Sequence, residues 1–211
     1  MKRVIKAYLL FLISLIMMAL GITFVTKSNL GTSAISSIQY VLSLAFRPSF
    51  GVFTFVINLI FFLIQVLILR EKFPKHQYLQ LLVGPIMGIF IDIWMNTFRF
   101  LNPVNYITKL IISVIGCCII AISTILQLKA GVVTNPAEGI VKTLAYKTKI
   151  GFGRVKIYFD LFLVLIASTL SFLLIGEIKG IGIGTFITAT LVGIIIRLIN
   201  KIEENILRKT N

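Results

Sequence analysis

The sequence predicts an all-α membrane protein: six transmembrane helices forming two inverted three-helix repeats, each with a short half-helix between its first and second spans. Three observations predict it. Of 211 residues, 58% are hydrophobic and 13% charged, against about 25% charged in ordinary soluble domains, and the mean hydropathy is +1.02. Six apolar runs each have the ~20 residues that one bilayer crossing needs. The two halves of the chain also align with each other. A soluble fold of this size cannot hide so much apolar surface. The composition therefore excludes a soluble enzyme, a disordered tail and a secreted disulfide scaffold.

The runs lie at roughly 5–25, 51–69, 79–99, 107–128, 155–175 and 181–199. The first follows Met1-Lys2-Arg3 but is too long for a signal-peptide core and has no small-residue cleavage site, so it reads as a retained helix. Ser28 to Phe50 and Ala130 to Gly151 separate the first from the second run and the fourth from the fifth. Such lengths are unusual for structureless links. Each opens with small or polar residues, Asn29-Leu30-Gly31-Thr32-Ser33-Ala34-Ile35-Ser36-Ser37 and Gly131-Val132-Val133-Thr134-Asn135-Pro136-Ala137-Glu138-Gly139, and then turns helical. Asn followed by Pro, with a carboxylate in the first turn, is a helix-start signature. Both segments are too short to span, and read as half-helices that re-enter the bilayer or lie at its surface.

The formal net charge is +14, from 21 Lys+Arg and 7 Asp+Glu. In a soluble protein this would suggest nucleic acid. Here it follows the positive-inside rule. With the N-terminus in the cytoplasm, Lys2, Arg3, Lys6, Arg70, Lys72, Lys75, Lys129, Lys142, Lys147, Lys149, Arg154, Lys156, Arg197, Lys201, Arg208 and Lys209 fall inside, and only Lys27, Arg47, Arg99, Lys109 and Lys179 outside. That asymmetry predicts both termini on the cytoplasmic side. The basic face would meet anionic lipid; no nucleic-acid partner is expected. The lone histidine, His76, and the adjacent Cys117 and Cys118 offer no metal, disulfide or catalytic framework. No cofactor and no enzymatic activity are expected.

At a shift of 102 residues Ala19 falls on Ala121, Lys27 on Lys129, Thr32 on Thr134, Leu42 on Leu144, Phe50-Gly51 on Phe152-Gly153, Asn58 on Asp160 and Leu59 on Leu161. The last helices share Leu82-Val83-Gly84 with Leu191-Val192-Gly193 at a shift of 109, while a shift of 105 puts Gly88 on Gly193. The chain thus reads as one membrane domain, 1–211, with repeats at 1–102 and 103–211. Three crossings per repeat force the copies to insert upside down relative to each other.

A carboxylate in mid-membrane costs about 2.5–3.5 kcal/mol on insertion scales, so those inside the runs need a reason. Glu71, Glu177, Glu203 and Glu204 sit at helix ends or in loops; Asp92, Asp160 and Glu138 do not. Asp92 belongs to a stripe with Gly84, Gly88 and Asn96, spaced by four and so near one helix face. Thr54, Asn58 and Gln65 mark the second helix; Ser168 and Ser171 follow Asp160 on the fifth. Half-helix N-termini carry unpaired N–H groups and partial positive charge. The expected substrate or ion site therefore comprises Thr32, Ser33, Ser36, Asn58, Asp92, Asn96, Thr134, Asn135, Glu138 and Asp160, with Lys142 or Arg154 beside Glu138. The helix ends favour an anion and the acids a cation or proton; the sign stays open. Gly180-Ile181-Gly182-Ile183-Gly184-Thr185 is not a nucleotide loop, for no βαβ unit surrounds it, and reads as the start of the sixth helix. Tyr8, Tyr78, Trp94 and Tyr106 read as interfacial anchors.

Leu30-Gly31 with its polar turn, Ser49-Phe50-Gly51, Leu82-Val83-Gly84-Pro85, Asn135-Pro136-Ala137-Glu138-Gly139 and Gly182-Ile183-Gly184-Thr185 resemble the YczE/YyaS/YitT-like group of bacterial membrane proteins. Members often carry a Gly-x-Gly-Pro-x-Asp type turn in both halves. Here Pro136 and Glu138 keep it in the second, while Ala34 and Ser36 replace the proline and the acid in the first. The resemblance implies a multi-spanning cytoplasmic-membrane protein and suggests transport, without a substrate. A small secondary transporter or exporter is the leading expectation, working alone or as a homodimer. The substrate-binding subunit of an energy-coupling importer and a non-transporting scaffold or regulator are the alternatives.

Overall fold

The fold is that of a computed structural model, which describes residues 2–210. The side chains of Lys2, Glu203, Glu204, Arg208 and Lys209, placed by charge above, lie outside the described residues. Eight α-helices follow one another: α1 Lys2–Lys27, α2 Ser37–Ala45, α3 Phe50–Leu69, α4 Gln80–Thr97, α5 Tyr106–Ala130, α6 Pro136–Thr148, α7 Phe152–Ile175 and α8 Ile183–Thr210. No strand occurs among the described residues. Five helical segments are long and apolar enough to cross a membrane, Arg3–Lys27, Phe50–Lys72, Lys75–Thr97, Tyr106–Ala130 and Phe152–Ile175. The chain is thus a multi-pass membrane protein. The sixth expected crossing corresponds to Ile183–Ile199, a shorter apolar stretch within α8.

Local chemistry sets the helix ends. Ser49 caps α3, its side chain accepting from the Val52 N–H. Asn135 caps α6 in the same way, accepting from Ala137, with Pro136 in the first turn where its missing N–H costs nothing. Gly131 and Gly176 close α5 and α7 in the left-handed conformation that lacks a Cβ penalty. Both short helices, α2 and α6, form as expected.

Two cores hold the molecule. Phe11, Leu15, Ala19 and Val25 of α1 pack with Val83, Met87 and Ile91 of α4 and with Cys117 and Ile120 of α5, flanked by Leu191, Val192 and Ile195 of α8. Ile38 and Val41 of α2 pack with Phe61 of α3, Ile140 and Val141 of α6, and Phe159, Leu163 and Ala167 of α7. In the first core, α1 and α5 approach with backbones nearly touching: a Cβ on Gly21 would stand 2.9 Å from Ile120 N, and one on Gly116 2.8 Å from Val25 N. Small residues permit such approach between membrane helices. Ser123 Oγ meets Met18 Sδ at 3.4 Å. As α1 advances from Met18 to Val25, its neighbours on α5 recede from Ser123 to Gly116, so the two helices run antiparallel.

Contacts recur in pairs. α1 packs on α4 and α5 on α8; α2 packs on α7 and α6 on α3; α2 packs on α3 and α6 on α7. Among the described residues two contacts lack a comparable counterpart: the extensive one of α3 with α4, which α7 and α8 do not reproduce, and the small one of α4 with α6. The turns before the short helices are tied similarly. The Thr32 N–H donates to Gly180 O at 3.0 Å, and the Thr134 N–H to Gln77 Oε1 at 3.0 Å; each acceptor lies just ahead of the last helix of the other half.

Candidate functional site

A cavity of about 660 Å³ lies between the two cores, within the range of small-molecule sites. The starts of both short helices reach it, through Ser33, Ser36 and Gln39 from the first half and Asn135, Ala137 and Glu138 from the second. Asn58 and Thr54 enter from α3; Lys156 and Asp160 enter from α7. Met18, Ile22, Met87, Leu161 and Phe186 supply apolar wall, and Lys142 and Arg197 also line it.

The polar side chains differ in whether they already have partners. Ser33 Oγ donates to Ser36 Oγ at 2.9 Å. Asn135 Oδ1 caps α6, and its amide reaches Met87 Sδ at 3.5 Å. Asp160 is held by Lys156, whose Nζ donates to its two oxygens at 2.5 and 2.6 Å, an i,i+4 ion pair on one helix. Gln39 is 2% exposed, and its Oε1 has no hydrogen-bond partner. Asn58 is 5% exposed and makes no hydrogen bond among the described residues. Glu138 likewise makes no hydrogen bond among them, with Lys142 and Lys156 near enough to act on its charge. Buried polar groups normally find partners. Gln39 departs from this rule, as do Ser113 and Gln127 away from the cavity; the side chains of Asn58 and Glu138 line the cavity.

Of the expected site residues, the structure gathers Ser33, Ser36, Asn58, Asn135, Glu138 and Asp160 around this cavity. Four others have different surroundings. Thr32 is buried against Thr26, their hydroxyls 2.8 Å apart. Thr134 receives Lys142 Nζ at 3.5 Å and binds Gln77 through its N–H. Asn96 is exposed near the end of α4. Asp92 caps α3, accepting from the Gly51 N–H at 2.8 Å and from the Ser49 hydroxyl. Its spacing with Gly84 and Gly88 is real, but the stripe faces α3: Gly84 lies against Phe55 and Asn58, and Gly88 against Gly51. Lys156, rather than Arg154, joins Lys142 beside Glu138. Trp94 donates to Ile16 O at 3.3 Å and ties α4 to α1.

Sequence reasoning passed over Gln39, which stands two residues into α2 with no periodic signal to separate it from an ordinary polar position. It marked Gln65 but passed over Gln77 and Gln80, which join it in a chain of glutamines. Gln65 Nε2 donates to Gln80 Oε1 and to Pro136 O, each at 3.1 Å, and Gln80 Nε2 to Gln77 Oε1 at 2.8 Å. The motifs behind the family resemblance meet in space. Gly184 N–H donates to Leu30 O at 2.7 Å. A Cβ on Gly31, whose φ is +118°, would collide with Thr185 and Gly182. Among the described residues no group of three His, Cys, Asp or Glu is placed to hold a metal ion.

Comparison with known proteins extends the likeness to the whole chain. It is 30% identical over 204 residues to the "Uncharacterized protein YyaS" of Bacillus subtilis (strain 168), covering 93% of this chain and 94% of that protein. No solved structure matches it. Residues 5–201 match the family described as "Family of unknown function (DUF6198)", and the chain belongs to that family.

Proposed function

We propose that the chain is a small secondary transporter that carries a small solute through the cavity between its two halves. The observation that carries this reading is one roomy cavity on which Asn58 and Glu138 converge with side chains that make no hydrogen bond among the described residues, beside Gln39 and the Lys156–Asp160 pair. A dry structural core would satisfy or omit such groups.

Reading the two halves as an inverted repeat supports the same function. Opposed α1 and α5, and helix contacts that recur when the halves are exchanged, are what two oppositely inserted copies produce. Substrate sites of inverted-repeat transporters lie at the junction of the repeats, with broken or short helices pointing at them. In this reading the termini are cytoplasmic and the basic loops face the anionic leaflet of a bacterial cell membrane. The α6 start and the α7 carboxylate then lie in the cytoplasmic half of the cavity. Glu138 and Asp160 couple solute movement to protons or cations.

Flux in proteoliposomes tests it, screening radiolabelled amino acids, carboxylates and amines under imposed proton and sodium gradients. Saturable flux that Glu138→Gln abolishes supports the assignment. Absence of flux for every solute, with no ligand-induced shift in unfolding temperature, overturns it. Co-purification with an ATPase module would favour the importer-subunit alternative.

A further inference from the structure

Where α3 and α4 cross, Gly51 and Gly88 bring the two backbones together, and a Cβ on either would land on the carbonyl oxygen of the other. Repeat shifts of 102 and 105 carry this pair onto Gly153 of α7 and Gly193 of α8. There the arrangement is different. No atom of a neighbouring residue stands within 4 Å of a Cβ built on Gly153 or on Gly193, and α7 and α8 lack the packing that joins α3 to α4. Ile157 and Leu161 on one side of the gap and Phe186 on the other line the cavity and remain 59%, 54% and 58% exposed.

The register is supported independently. Thr32 is tied to Gly180 and Thr134 to Gln77, and these equivalent ties set the approaches to α8 and α4 103 residues apart. That agrees better with a shift of 105 than with 109. At 105, Arg197 stands where Asp92 stands in the first half. The carboxylate that clasps α4 to the start of α3 therefore has no counterpart between α8 and α7.

We infer that α7 and α8 form a gate of the cavity, and that it closes by bringing Gly153 against Gly193 in the contact that Gly51 and Gly88 already make across the molecule. The inference rests on the transport reading for its purpose, though not for its geometry. With the gate open, Gln39, Asn58 and Glu138 share a cavity that reaches the membrane-facing side of the helices. Closure seals the cavity from that side and lets two glycine backbones approach as small-residue helix pairs do. Because Arg197 replaces the clasping acid, this seam opens more readily than the one between α3 and α4.

The test uses the full chain in membrane vesicles, with Cys117→Ala and Cys118→Ala, carrying Gly153→Cys and Gly193→Cys. A disulfide requires Cα atoms within about 7 Å. Mild oxidation is expected to join the pair in most molecules within minutes. It should do so at least about tenfold faster than Gly153→Cys with Arg197→Cys, the pairing of the alternative register. Asn58→Cys with Gly84→Cys is the positive control, since a Cβ on Gly84 stands 3.3 Å from that of Asn58. Failure of the gate pair to join while the control joins overturns the proposal, as does faster joining through position 197. A second measurement avoids the glycines: spin labels at Ile157→Cys and Phe186→Cys should report two distance populations, and a single long one overturns the gate. Disulfide formation in a protein that moves no solute supports the gate and removes the transport reading. Transport by the wild type without closure removes the gate alone.

Discussion

The Gly51 N–H on α3 donates to Oδ1 of Asp92 on α4 across 2.8 Å. The other carboxylate oxygen takes the hydroxyl of Ser49, the α3 cap, which in turn accepts from Val52. A carboxylate at a helix N-terminus satisfies orphan donors and opposes the positive end of the dipole. Here it also joins two helices across a glycine crossing.

Asp92→Ala is therefore expected to destabilise the protein by about 1–2 kcal/mol, the usual cost of losing a helix cap, and Asp92→Asn by less because one acceptor remains. Thermal unfolding of the detergent-solubilised protein measures both. Neither variant should change solute affinity, since Asp92 does not line the cavity. Loss of binding by Asp92→Asn at an unchanged unfolding temperature would return Asp92 to the site.

The same crossing predicts a contrast between equivalent glycines. Gly51→Ala and Gly88→Ala each drive a methyl into opposing backbone, an overpacking expected to cost about 1–3 kcal/mol. Gly153→Ala meets open space and is expected to be neutral or stabilising by about 0.5–1 kcal/mol, the ordinary gain of alanine over glycine in a helix. Unfolding temperatures of the three variants, side by side, decide it. Equal losses at Gly51 and Gly153 would contradict the open seam.

These cases show where the sequence is legible. Apolar run length gave the five long helices, and Asn135-Pro136 and the polar turn after Leu30 located both short ones, because these signals are local. Asp92 was visible as a carboxylate that needed a reason, but the reason, Ser49 and Gly51, lies some forty residues upstream on another helix. Spacing by four identifies a face and not what it faces. Asn58 and Asp160 stand out because polarity in an apolar run is conspicuous, and Glu138 because it follows Asn135-Pro136 at a helix start. Gln39 was missed because a glutamine near the start of a short helix is unremarkable until its lack of a partner is seen.

The glutamine chain gives a third prediction. Gln65 Nε2 lies within reach of the Phe61, Gln80 and Pro136 oxygens, so Gln65→Leu leaves the buried Gln80 amide short of a partner and unties α3 from the start of α6. The expected loss is about 1–3 kcal/mol. Adding Gln80→Leu removes one stranded group, and the double variant should recover part of the loss, since replacing both partners costs less than removing one. Strictly additive losses in the unfolding temperatures would show that the two side chains do not work as a unit.

Gln39 supplies the sharpest test, because stability and function should move in opposite directions. Its side chain is almost wholly buried, yet its carbonyl oxygen bonds to nothing. An unpaired buried amide costs about 1–3 kcal/mol on mutational scales. Unmet polar groups at working sites are a recurrent source of stability–activity conflict. Gln39→Leu replaces it with an apolar side chain of similar size, and is expected to raise the unfolding free energy by about 1 kcal/mol or more. In the transport reading Gln39 turns its amide to the solute, and the same change should weaken solute binding at least tenfold. Gln39→Asn should lower affinity less and gain no stability. Unfolding in a denaturant series and solute-induced thermal shift, measured on the same preparations, separate the two effects. A Gln39→Leu variant that is less stable, or that binds solute as the wild type does, would make Gln39 a packing residue and remove the strongest polar group from the proposed site.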